Sequence, residues 1–388
     1  MSLRIEFVER AKAGESIASL CREFKISRTT GHKWFKRFEA HGYEGLEEQS
    51  RRPKSAPLAT GEELVMAILE ARERYVRWGP RKLHGVLRRR FGDQTPSERT
   101  IARVLKRADK VRQRRSRRRP SVVDRAPQVQ ASQPNEVWTI DFKGWWRAQD
   151  GQKCEPLTVR DAFSRFLLAV QICRPTTVDV RDVLERLFKR HGVPQAIQCD
   201  NGEPFVSVRS RGGLSQLSAW WMSLGIRLVR SRPGCPQDNG GHERMHSDLA
   251  AGPQRHPAAS PAAQQREIDR WRQVFNHVRP HDALGGKTPA DVYKPTERRR
   301  SIARPFQYPP GIIPVRVNRE GSFAWCGHHY FLSGSLRAMH VGVQPIDLMH
   351  LRVWFHDLDL GSLEIVPAVG QSIYEAPPSR RKNRAKAA

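Results

Sequence analysis

The sequence predicts a multidomain protein with all-α helix-turn-helix units at the N-terminus, a central α/β core with a mixed sheet, and a small C-terminal β-barrel. Three observations lead to this fold class. Residues 1–110 carry apolar side chains at helical spacing. The middle of the chain alternates strand-like and helix-like runs. The last part consists of short alternating runs separated by turns, and the length of 388 residues accommodates several such domains.

The composition points to a polyanionic partner. The chain has 68 Lys and Arg against 40 Asp and Glu, a net charge of +28 and a pI near 10.8. Such an excess favours nucleic acid, and a cationic membrane-surface protein is the competing interpretation. The chain has no long apolar run, and its start, MSLRIEFVERAKAG, lacks the apolar core of a signal peptide. We therefore expect a cytoplasmic protein without membrane contact. The six scattered cysteines form no CxxC pair, which argues against a zinc knuckle or a disulfide framework.

A first helix-turn-helix domain is predicted over residues 1–50. The stretch ESIASLCREFKISRTTGHKWFKRFE shows helical periodicity twice, and Ser27 can cap the second helix. Two short helices joined by about four residues are typical of helix-turn-helix, with an ordinary helical pair as the alternative. Side chains near the start of the second helix are expected at the DNA bases. These residues are Arg28, Thr29, Thr30, His32 and Lys33.

A second helix-turn-helix domain is predicted over residues 61–110. The stretch GPRKLHGVLRRRFG is followed by TPSERTIARVLKR, in which Ser97 can cap a helix carrying Ile101, Val104 and Leu105. A basic linker, residues 111–135, comes next and is expected to lie along phosphates. The DNA contacts expected in these two segments are Arg81, Lys82, Arg99, Arg114 and Arg115.

The α/β core is predicted over residues 136–295. VWTIDFKGWW, EPLTVRDAF and RFLLAVQIC read as consecutive strands, followed by the helix TVDVRDVLERLFKRHG and the short strand AIQC. A helix, a strand and the helix around Glu243 complete the order β-β-β-α-β-α-β-α, which predicts a mixed sheet. The barrel is predicted over residues 310–368, and residues 369–388 form a basic tail.

Three acids of this core are candidates for chemistry. Asp141 lies within the strand TIDF, Asp200 ends the strand AIQC, and Glu243 lies near the start of a helix after a Gly-rich loop. Converging carboxylates repel one another unless cations lie between them. Oxygen ligands suit Mg²⁺ or Mn²⁺, and two such ions support phosphoryl transfer.

Spacing alone leaves a local structural role open for each acid. Asp238 is well placed to cap the helix of Glu243, Asp161 reads as a strand-end or turn residue, and Glu203 is a loop acid without a clear task. His242 and His246 have i, i+4 spacing without a third zinc ligand, and we expect them to face the surface or DNA.

Two further residues beside Glu243 are candidate DNA contacts. Asn239 is expected at the terminal bases or phosphates, with turn chemistry as the alternative. Arg244 is expected at a phosphate, with a solvated helix face as the alternative.

Residues 137–293 resemble the catalytic core of bacterial insertion-sequence transposases of the DDE recombinase type, which have a retroviral-integrase-like core. The motifs that carry the resemblance are VWTIDF, RDAFSRF, QCDNGEPF, RPGCPQDNGGHERMH and FNHVRPHDALGGKTPADVY. The resemblance implies a ribonuclease-H-like core in which Asp141, Asp200 and Glu243 are the catalytic, metal-binding acids. It implies cleavage at the 3′ ends of a mobile element and transfer of the 3′-hydroxyl into target DNA. Residues 201–242 make a longer interval than this family usually has, and we place the extra residues in VSVRSRGGLSQ, read as a surface loop.

The resemblance also implies the partners. They are double-stranded DNA, as element ends and as target, and further copies of the chain in a synaptic complex in the bacterial cytoplasm, associated with the nucleoid. An accessory targeting protein such as an ATPase is compatible with the sequence but not required by it. An inactive transposase-derived DNA-binding regulator is the main alternative function. A general nuclease is disfavoured because it has no need of two helix-turn-helix units.

Overall fold

A computed structural model describes residues 3–48, 60–111, 130–232, 235–298, 306–347 and 349–365. The chain divides into two compact units, Met1–Gly61 and Glu62–Ala388. The predicted DNA contacts Arg114 and Arg115, most of the linker 111–135 and the tail 369–388 lie outside the described residues. Within the described ranges, no helix combines the length and hydrophobicity that crossing a membrane requires.

The first unit is a bundle of three helices. The predicted helix-turn-helix pair is confirmed, and one more helix precedes it and packs Phe7 against the pair. Ser27 caps the last helix as predicted, because its Oγ accepts a hydrogen bond from the backbone N–H of Thr30 at 3.2 Å. The helices are α1 (Leu3–Lys12), α2 (Ile17–Glu23) and α3 (Arg28–His41).

The second unit begins with another three-helix group. Its last helix is capped by Ser97, whose Oγ accepts from the backbone N–H of Thr100 at 3.3 Å. The predicted apolar stripe Ile101, Val104 and Leu105 is buried in the core of the group. The helices are α4 (Glu62–Arg74), α5 (Pro80–Phe91) and α6 (Glu98–Arg107).

The centre of the second unit is a five-stranded mixed sheet in the order β5-β4-β1-β6-β7. Strand β1 pairs antiparallel with β4, and β4 pairs antiparallel with β5. Strand β6 runs parallel to β1, and β7 runs parallel to β6, so the prediction of a mixed sheet is confirmed. A short hairpin, β2 with β3, lies between β1 and β4. The strands are β1 (Val137–Phe142), β2 (Trp146–Arg147), β3 (Lys153–Cys154), β4 (Pro156–Asp161), β5 (Leu167–Ile172), β6 (Ala196–Cys199) and β7 (Arg227–Arg230).

Helices cover both faces of this sheet. Two of them share an aromatic-rich core with Trp138, Ile140, Leu157 and Val159 of β1 and β4. Two others pack on the opposite side, where Met245 and Ile268 join a smaller core. The first pair is α7 (Thr177–His191) and α8 (Gln216–Ser223), the second is α9 (Gly240–Ala251) and α10 (Pro261–His277), and α11 (Pro289–Val292) follows.

The C-terminal strands form an open antiparallel sheet in the order β13-β12-β11-β8, beside a separate hairpin of β9 and β10. The predicted closed barrel is therefore not confirmed: among the described residues, β8 and β13 are the edges of the sheet. The strands are β8 (Ile313–Arg316), β9 (Ser322–Trp325), β10 (His328–Phe331), β11 (His340–Pro345), β12 (His350–Phe355) and β13 (Leu358–Glu364).

The extra residues between Asp200 and Glu243 attach this C-terminal sheet to the core. Arg211 is only 4% exposed and donates from Nη1 to the carbonyl oxygen of Ser362 at 3.4 Å. Gly212 lies against the side chains of Leu358 and Leu360. The expectation of a surface loop holds for Val208 and Arg209, which are exposed, but is wrong for the segment that comprises Arg211 and the four residues after it. Its glycines and serines allow close packing on the C-terminal sheet rather than exposure to solvent.

Candidate active site

Polar side chains line one face of the central sheet in two adjacent rows. The register pairs Thr139 of β1 with Arg160 of β4 and with Gln198 of β6. Two residues further along β1, Asp141 pairs with Thr158 of β4. Alternate residues of a strand point to the same face, so both rows lie on the side that α9 covers. We call them the anchoring row (Arg160, Thr139, Gln198) and, after the role predicted from the sequence for its two acids, the catalytic row (Thr158, Asp141, Asp200).

Asp200 completes the catalytic row from the neighbouring parallel strand. The β1–β6 register runs from Val137 with Ala196 to Thr139 with Gln198, and two more residues bring Asp141 beside Asp200. Neighbouring strands lie about 4.8 Å apart. Oδ1 of Asp200 accepts a hydrogen bond from the backbone N–H of Gly202 at 3.2 Å, which orients the carboxylate at the strand end.

Glu243 reaches this row from the first turn of α9. The pKa of Asp141 rises to about 7, mainly because the carboxyl group is buried, and also because of the negative charges on Asp200 and Glu243. Asp200 and Glu243, two of the acids predicted from the sequence, therefore both lie within electrostatic reach of Asp141. Glu243 is the exposed member, whereas Asp141 and Asp200 are half-buried.

The loop before α9 is fixed to the sheet by hydrogen bonds. Nδ2 of Asn239 donates to Oδ2 of Asp141 at 2.7 Å, so the structure places this predicted DNA contact on the carboxylate. Asp238 does not cap α9 as expected, because its carboxylate accepts from Nη2 of Arg232 at 2.7 Å and from the Arg232 backbone N–H at 3.1 Å. Nε2 of Gln198 in the anchoring row donates to the carbonyl of Asp238 at 2.9 Å.

The two histidines of α9 face the sheet instead of the surface, so that expectation is wrong. Nε2 of His242 lies 2.7 Å from Oγ1 of Thr139, and its Nδ1 lies 3.1 Å from Oγ1 of Thr158. Nε2 of His246 lies 3.0 Å from the same Thr158 oxygen, which donates to the carbonyl of Asp141 at 2.8 Å. The Thr158 hydroxyl has one proton, which it donates to the carbonyl of Asp141. Both imidazole rings therefore donate to the Thr158 oxygen, and Nε2 of His242 accepts from the Thr139 hydroxyl. We call this arrangement the histidine–threonine lock.

Both histidines are neutral at pH 7, as this assignment requires. Burial, Arg160 and His246 hold the pKa of His242 well below its usual value. Burial, together with Lys143, lowers the pKa of His246 to about 4. Each ring of the histidine–threonine lock therefore has one N–H. The lock fixes the rotation of α9 about its own axis relative to the sheet.

Two groups of side chains are candidates for holding a metal ion. Asp141, His242 and His246 offer ligand atoms within 4.8 Å of one another among the described residues. Three of the four ring nitrogens in that group are already engaged with threonine hydroxyls. The carboxylates of Asp141, Asp200 and Glu243, which the sequence predicts as ligands, do not form a group with this spacing, although their oxygen atoms are of the kind that a hard divalent ion prefers.

The predicted DNA contacts of the first unit lie on α3. The side chains of Arg28, Thr29, His32 and Lys33 line a shallow groove along this helix, together with further basic residues one turn on. Thr30 does not line this groove, and its hydroxyl, like that of Thr29, lies 2.8 Å from Oγ of the capping Ser27. The groove presents a continuous basic surface of a kind that binds phosphates and bases.

The predicted DNA contacts of the second helix-turn-helix are divided between solvent and the core. Arg99 is exposed near the start of α6. Arg81 forms an ion pair with Asp282 at 3.2 Å, and Lys82 is half-buried, with a pKa lowered by burial and by Arg279. Of these two α5 side chains, only Lys82 is withdrawn from solvent; Arg81 stays exposed in its ion pair, and Arg244 is exposed beside Glu243.

Sequence reasoning missed Arg160 and the two threonines of the polar rows. Their signal was the alternation in TIDF and LTVRD, where polar residues occupy every second position between apolar ones. Such a pattern marks one apolar and one polar face on strands that are otherwise buried.

Comparisons with known families divide the chain in the same way. A helix-turn-helix domain model matches residues 3–54, and a homeodomain-like model matches residues 30–105. Two integrase core domain models match residues 131–236 and 224–289.

Similar proteins come from bacterial insertion elements. An uncharacterized 39.2 kDa protein of insertion element IS476 from Xanthomonas euvesicatoria is 26% identical over 77% of this chain and 84% of its own length. An uncharacterized 31.7 kDa protein of IS407 from Burkholderia multivorans is 26% identical over 64% of this chain and 86% of its own. Among solved structures, the HTLV-2 integrase catalytic core in complex with magnesium is 17% identical over 42% of this chain and 100% of its own, with a TM-score of 0.33.

Proposed function

The chain belongs to the insertion-sequence transposases with an integrase-like core, and on that premise we propose that it cuts the 3′ ends of its element and joins them to target DNA. The helix-turn-helix units bind the element ends, and the carboxylates of Asp141, Asp200 and Glu243 form the reaction centre. The observation that carries the proposal is the strand register that sets Asp141 beside Asp200, where partial burial of Asp141 and the charges of Asp200 and of Glu243 on α9 raise the pKa of Asp141. Perturbed carboxylates gathered at strand ends are typical of catalytic centres.

The carboxylates fit a pair of divalent cations, Mg²⁺ or Mn²⁺. Bound there, such ions activate the attacking oxygen and stabilise the leaving oxygen of a phosphodiester. The chain's own residues prepare the ligands. Asn239 holds Asp141 through Oδ2 at 2.7 Å, and the N–H of Gly202 orients Asp200. The histidine–threonine lock sets α9 so that Glu243 faces the same place.

The proposal includes an assembly. Two element ends must be held together with target DNA, so we propose that several copies of the chain form a synaptic complex. The basic groove of α3 and the exposed Arg99 of α6 give each copy two DNA-binding surfaces. An accessory targeting protein is not needed for this chemistry.

Strand transfer tests the proposal. The full chain is mixed with DNA carrying the ends that flank its gene, a target plasmid and Mg²⁺. We expect joined products, and more than about a hundredfold loss of joining in Asp200→Asn, since removing a ligand costs at least as much as removing its supporting contacts. Asp182→Asn, an exposed acid on α7, is the matched control and should join normally.

Two results would contradict the proposal. Joining that persists in Asp200→Asn would remove this residue from the reaction centre. Specific binding of the ends without joining, in both Mg²⁺ and Mn²⁺, would instead favour the DNA-binding regulator.

A further inference from the structure

A second polar pocket lies beside the carboxylates, between the second helix-turn-helix and the core. Five cationic side chains line it, against two acidic ones, Asp248 and Asp282. Cations from α5, β4, the turn after β4, α9 and the segment after α10 meet there. They are Lys82, Arg160, Arg165, Arg244 and Arg279.

The two acids are already paired. Oδ2 of Asp248 lies 2.5 Å from Nη2 of Arg279, and Oδ1 of Asp282 lies 3.2 Å from Nε of Arg81. Among the described residues, no carboxylate forms an ion pair with Arg160, Arg165 or Arg244. Arg160 is buried, Arg165 is half-buried and Arg244 is exposed, so three guanidinium groups lie at one pocket without an ion-paired carboxylate. A protein compensates a buried charge such as that of Arg160 with a bound anion or a partner.

Arg160 is the strongest sign that a ligand belongs there. Its side chain belongs to the anchoring row, is 9% exposed and lies against the backbone of Gly241, where a Cβ would come within 2.0 Å of Nη1. Glycine is needed at this position because any side chain would displace the guanidinium. Burial and the neighbouring charge of Arg165 lower the pKa of Arg160 to about 10, so it stays cationic at pH 7.

Buried nitrogen atoms of the pocket also lack hydrogen-bond partners. Nε of Arg160, Nε of Arg279 and Nε2 of His281 are each buried with no acceptor or donor among the described residues. Unsatisfied buried nitrogens of this kind are rare in folded proteins and call for an explanation. Oxygen atoms of a phosphate would satisfy the arginine donors, which match phosphate geometry.

The position of the pocket identifies the phosphate. Arg160 follows Thr158 of the catalytic row by two residues on β4, or about 7 Å along the strand. That separation is comparable to the distance between neighbouring phosphates of one DNA strand. Gly241 and Arg244 on either side of Glu243 also line the pocket.

We propose that this arginine pocket binds a backbone phosphate of the DNA strand that is cut, next to the phosphodiester that reacts at the carboxylates. The inference rests on the proposed function, because that function supplies DNA as the ligand. Arg160 forms the floor of the pocket, and Arg165 and Arg244 close it from the sides. They are positioning residues for the substrate strand.

A double-mutant cycle, which combines protein variants with changes in the DNA backbone, tests the pocket in a binding assay that requires no DNA cleavage. Binding of a labelled element-end duplex is measured by fluorescence anisotropy in EDTA, with each phosphate in turn replaced by a neutral methylphosphonate. We expect one position to weaken binding by the wild type about tenfold, the size of a lost charge-assisted hydrogen bond. The same replacement should not weaken DNA binding by Arg165→Gln any further. That variant should also reduce the slope of log K against log[salt] by about 1.

Controls separate the pocket from general charge and from folding. Arg186→Gln removes one exposed charge from α7 on the other face of the sheet and should bind the duplex within about twofold of wild type. Arg160→Gln should behave as Arg165→Gln does, and thermal unfolding of each variant shows whether it is folded. Because Arg165 is half-buried, its variant keeps the test valid if Arg160→Gln does not fold.

The outcomes separate this proposal from the proposed function. If every methylphosphonate weakens Arg165→Gln as much as it weakens wild type, the pocket holds no DNA phosphate and the inference is overturned, whatever the joining assay shows. If one position is coupled to Arg165 but the wild type joins no DNA, the pocket stands and the proposed function falls. If inorganic phosphate binds in an Arg165-dependent way with no coupled DNA position, the pocket is a free-anion site and the DNA assignment is wrong.

Discussion

Strands β1 and β4 have two faces of opposite chemistry, built from alternate residues of the same short stretches. On one face, Trp138, Ile140, Leu157 and Val159 pack into a core with α7 and α8. On the other, the two polar rows meet α9 through the histidine–threonine lock. The apolar face supplies stability, which offsets the cost of the charges and unsatisfied donors on the polar face. A change on the apolar face should therefore affect stability, and a change on the polar face should affect chemistry as well as stability.

The largest expected effect comes from the apolar face. Trp138 is fully buried, with its ring 5.7 Å from that of Phe188 and its Nε1 donating to Asn135 at 2.9 Å. Trp138→Ala should lower the free energy of unfolding by about 4 kcal/mol, through lost burial and a cavity. Urea denaturation measures the change. Trp145→Ala is the control: that tryptophan is 55% exposed, so its removal should cost within about 0.5 kcal/mol. Equal losses for the two variants would contradict the division of faces.

The next effect comes from the centre of the lock. Thr158→Val keeps the shape of the side chain but removes the hydroxyl that accepts from both ring N–H groups. It should cost about 3 kcal/mol of unfolding free energy, because unsatisfied buried groups are expensive. The rate of DNA joining should fall by more than the loss of folded protein explains, because α9 no longer holds Glu243 in a fixed position.

Thr158→Ser is the matched variant because it retains the hydroxyl. Its urea midpoint and its joining rate, both measured on folded protein, should remain near those of wild type. If Thr158→Val were as stable and as active as Thr158→Ser, the lock would have no role in presenting Glu243.

The smallest effect comes from the charge of Asp141 in the catalytic row. Removing that charge should raise the free energy of unfolding, whereas the two previous variants lower it. The pKa of Asp141 is raised to about 7 in the folded chain, so its contribution to stability is present at low pH and is lost as the pH rises through 7. Asp141→Asn should therefore stabilise the metal-free protein at pH 8 by about 2 kcal/mol, after allowance for screening by water. The gain should shrink as the pH falls and be absent below about pH 3, where the carboxyl group is protonated in both states.

Thermal unfolding in EDTA at several pH values checks this prediction. Asp182→Asn should show no such pH-dependent gain. Added Mg²⁺ should stabilise the wild type and leave Asp141→Asn nearly unchanged. A loss of stability in Asp141→Asn at pH 8 would mean that the charges on this face are balanced within the protein.

The sequence predicted the elements better than it predicted their faces. Strand alternation and helical spacing identified the mixed sheet, and the caps at Ser27 and Ser97 were confirmed because capping depends on neighbouring residues alone. The strand register that brings Asp141 beside Asp200 depends on pairing between distant segments. The sequence gives candidates for such a pairing but does not determine its geometry.

The errors have a common physical cause. His242 and His246 were expected at the surface because they are polar, yet with Met245 and Leu249 they continue the buried stripe of α9 at helical spacing. The segment around Arg211 was expected in solvent because it is rich in Gly and Ser, yet it packs on the C-terminal sheet. In both regions a tertiary partner satisfied the polar groups, and composition does not reveal such a partner.

The contact between α5 and the core has a consequence for where DNA would be cut. A Cβ on Gly85 would lie 2.8 Å from Cγ of Pro280, and Arg89 donates to the carbonyl of His277 at 2.9 Å and to Asp291 at 2.6 Å. Since α6 packs on α5, its exposed basic side keeps a constant distance from the carboxylates. If the chain reads DNA with α6 and cuts it at Asp141 and Asp200, as we propose, this fixed distance would set the number of base pairs between the recognised sequence and the bond that is cut.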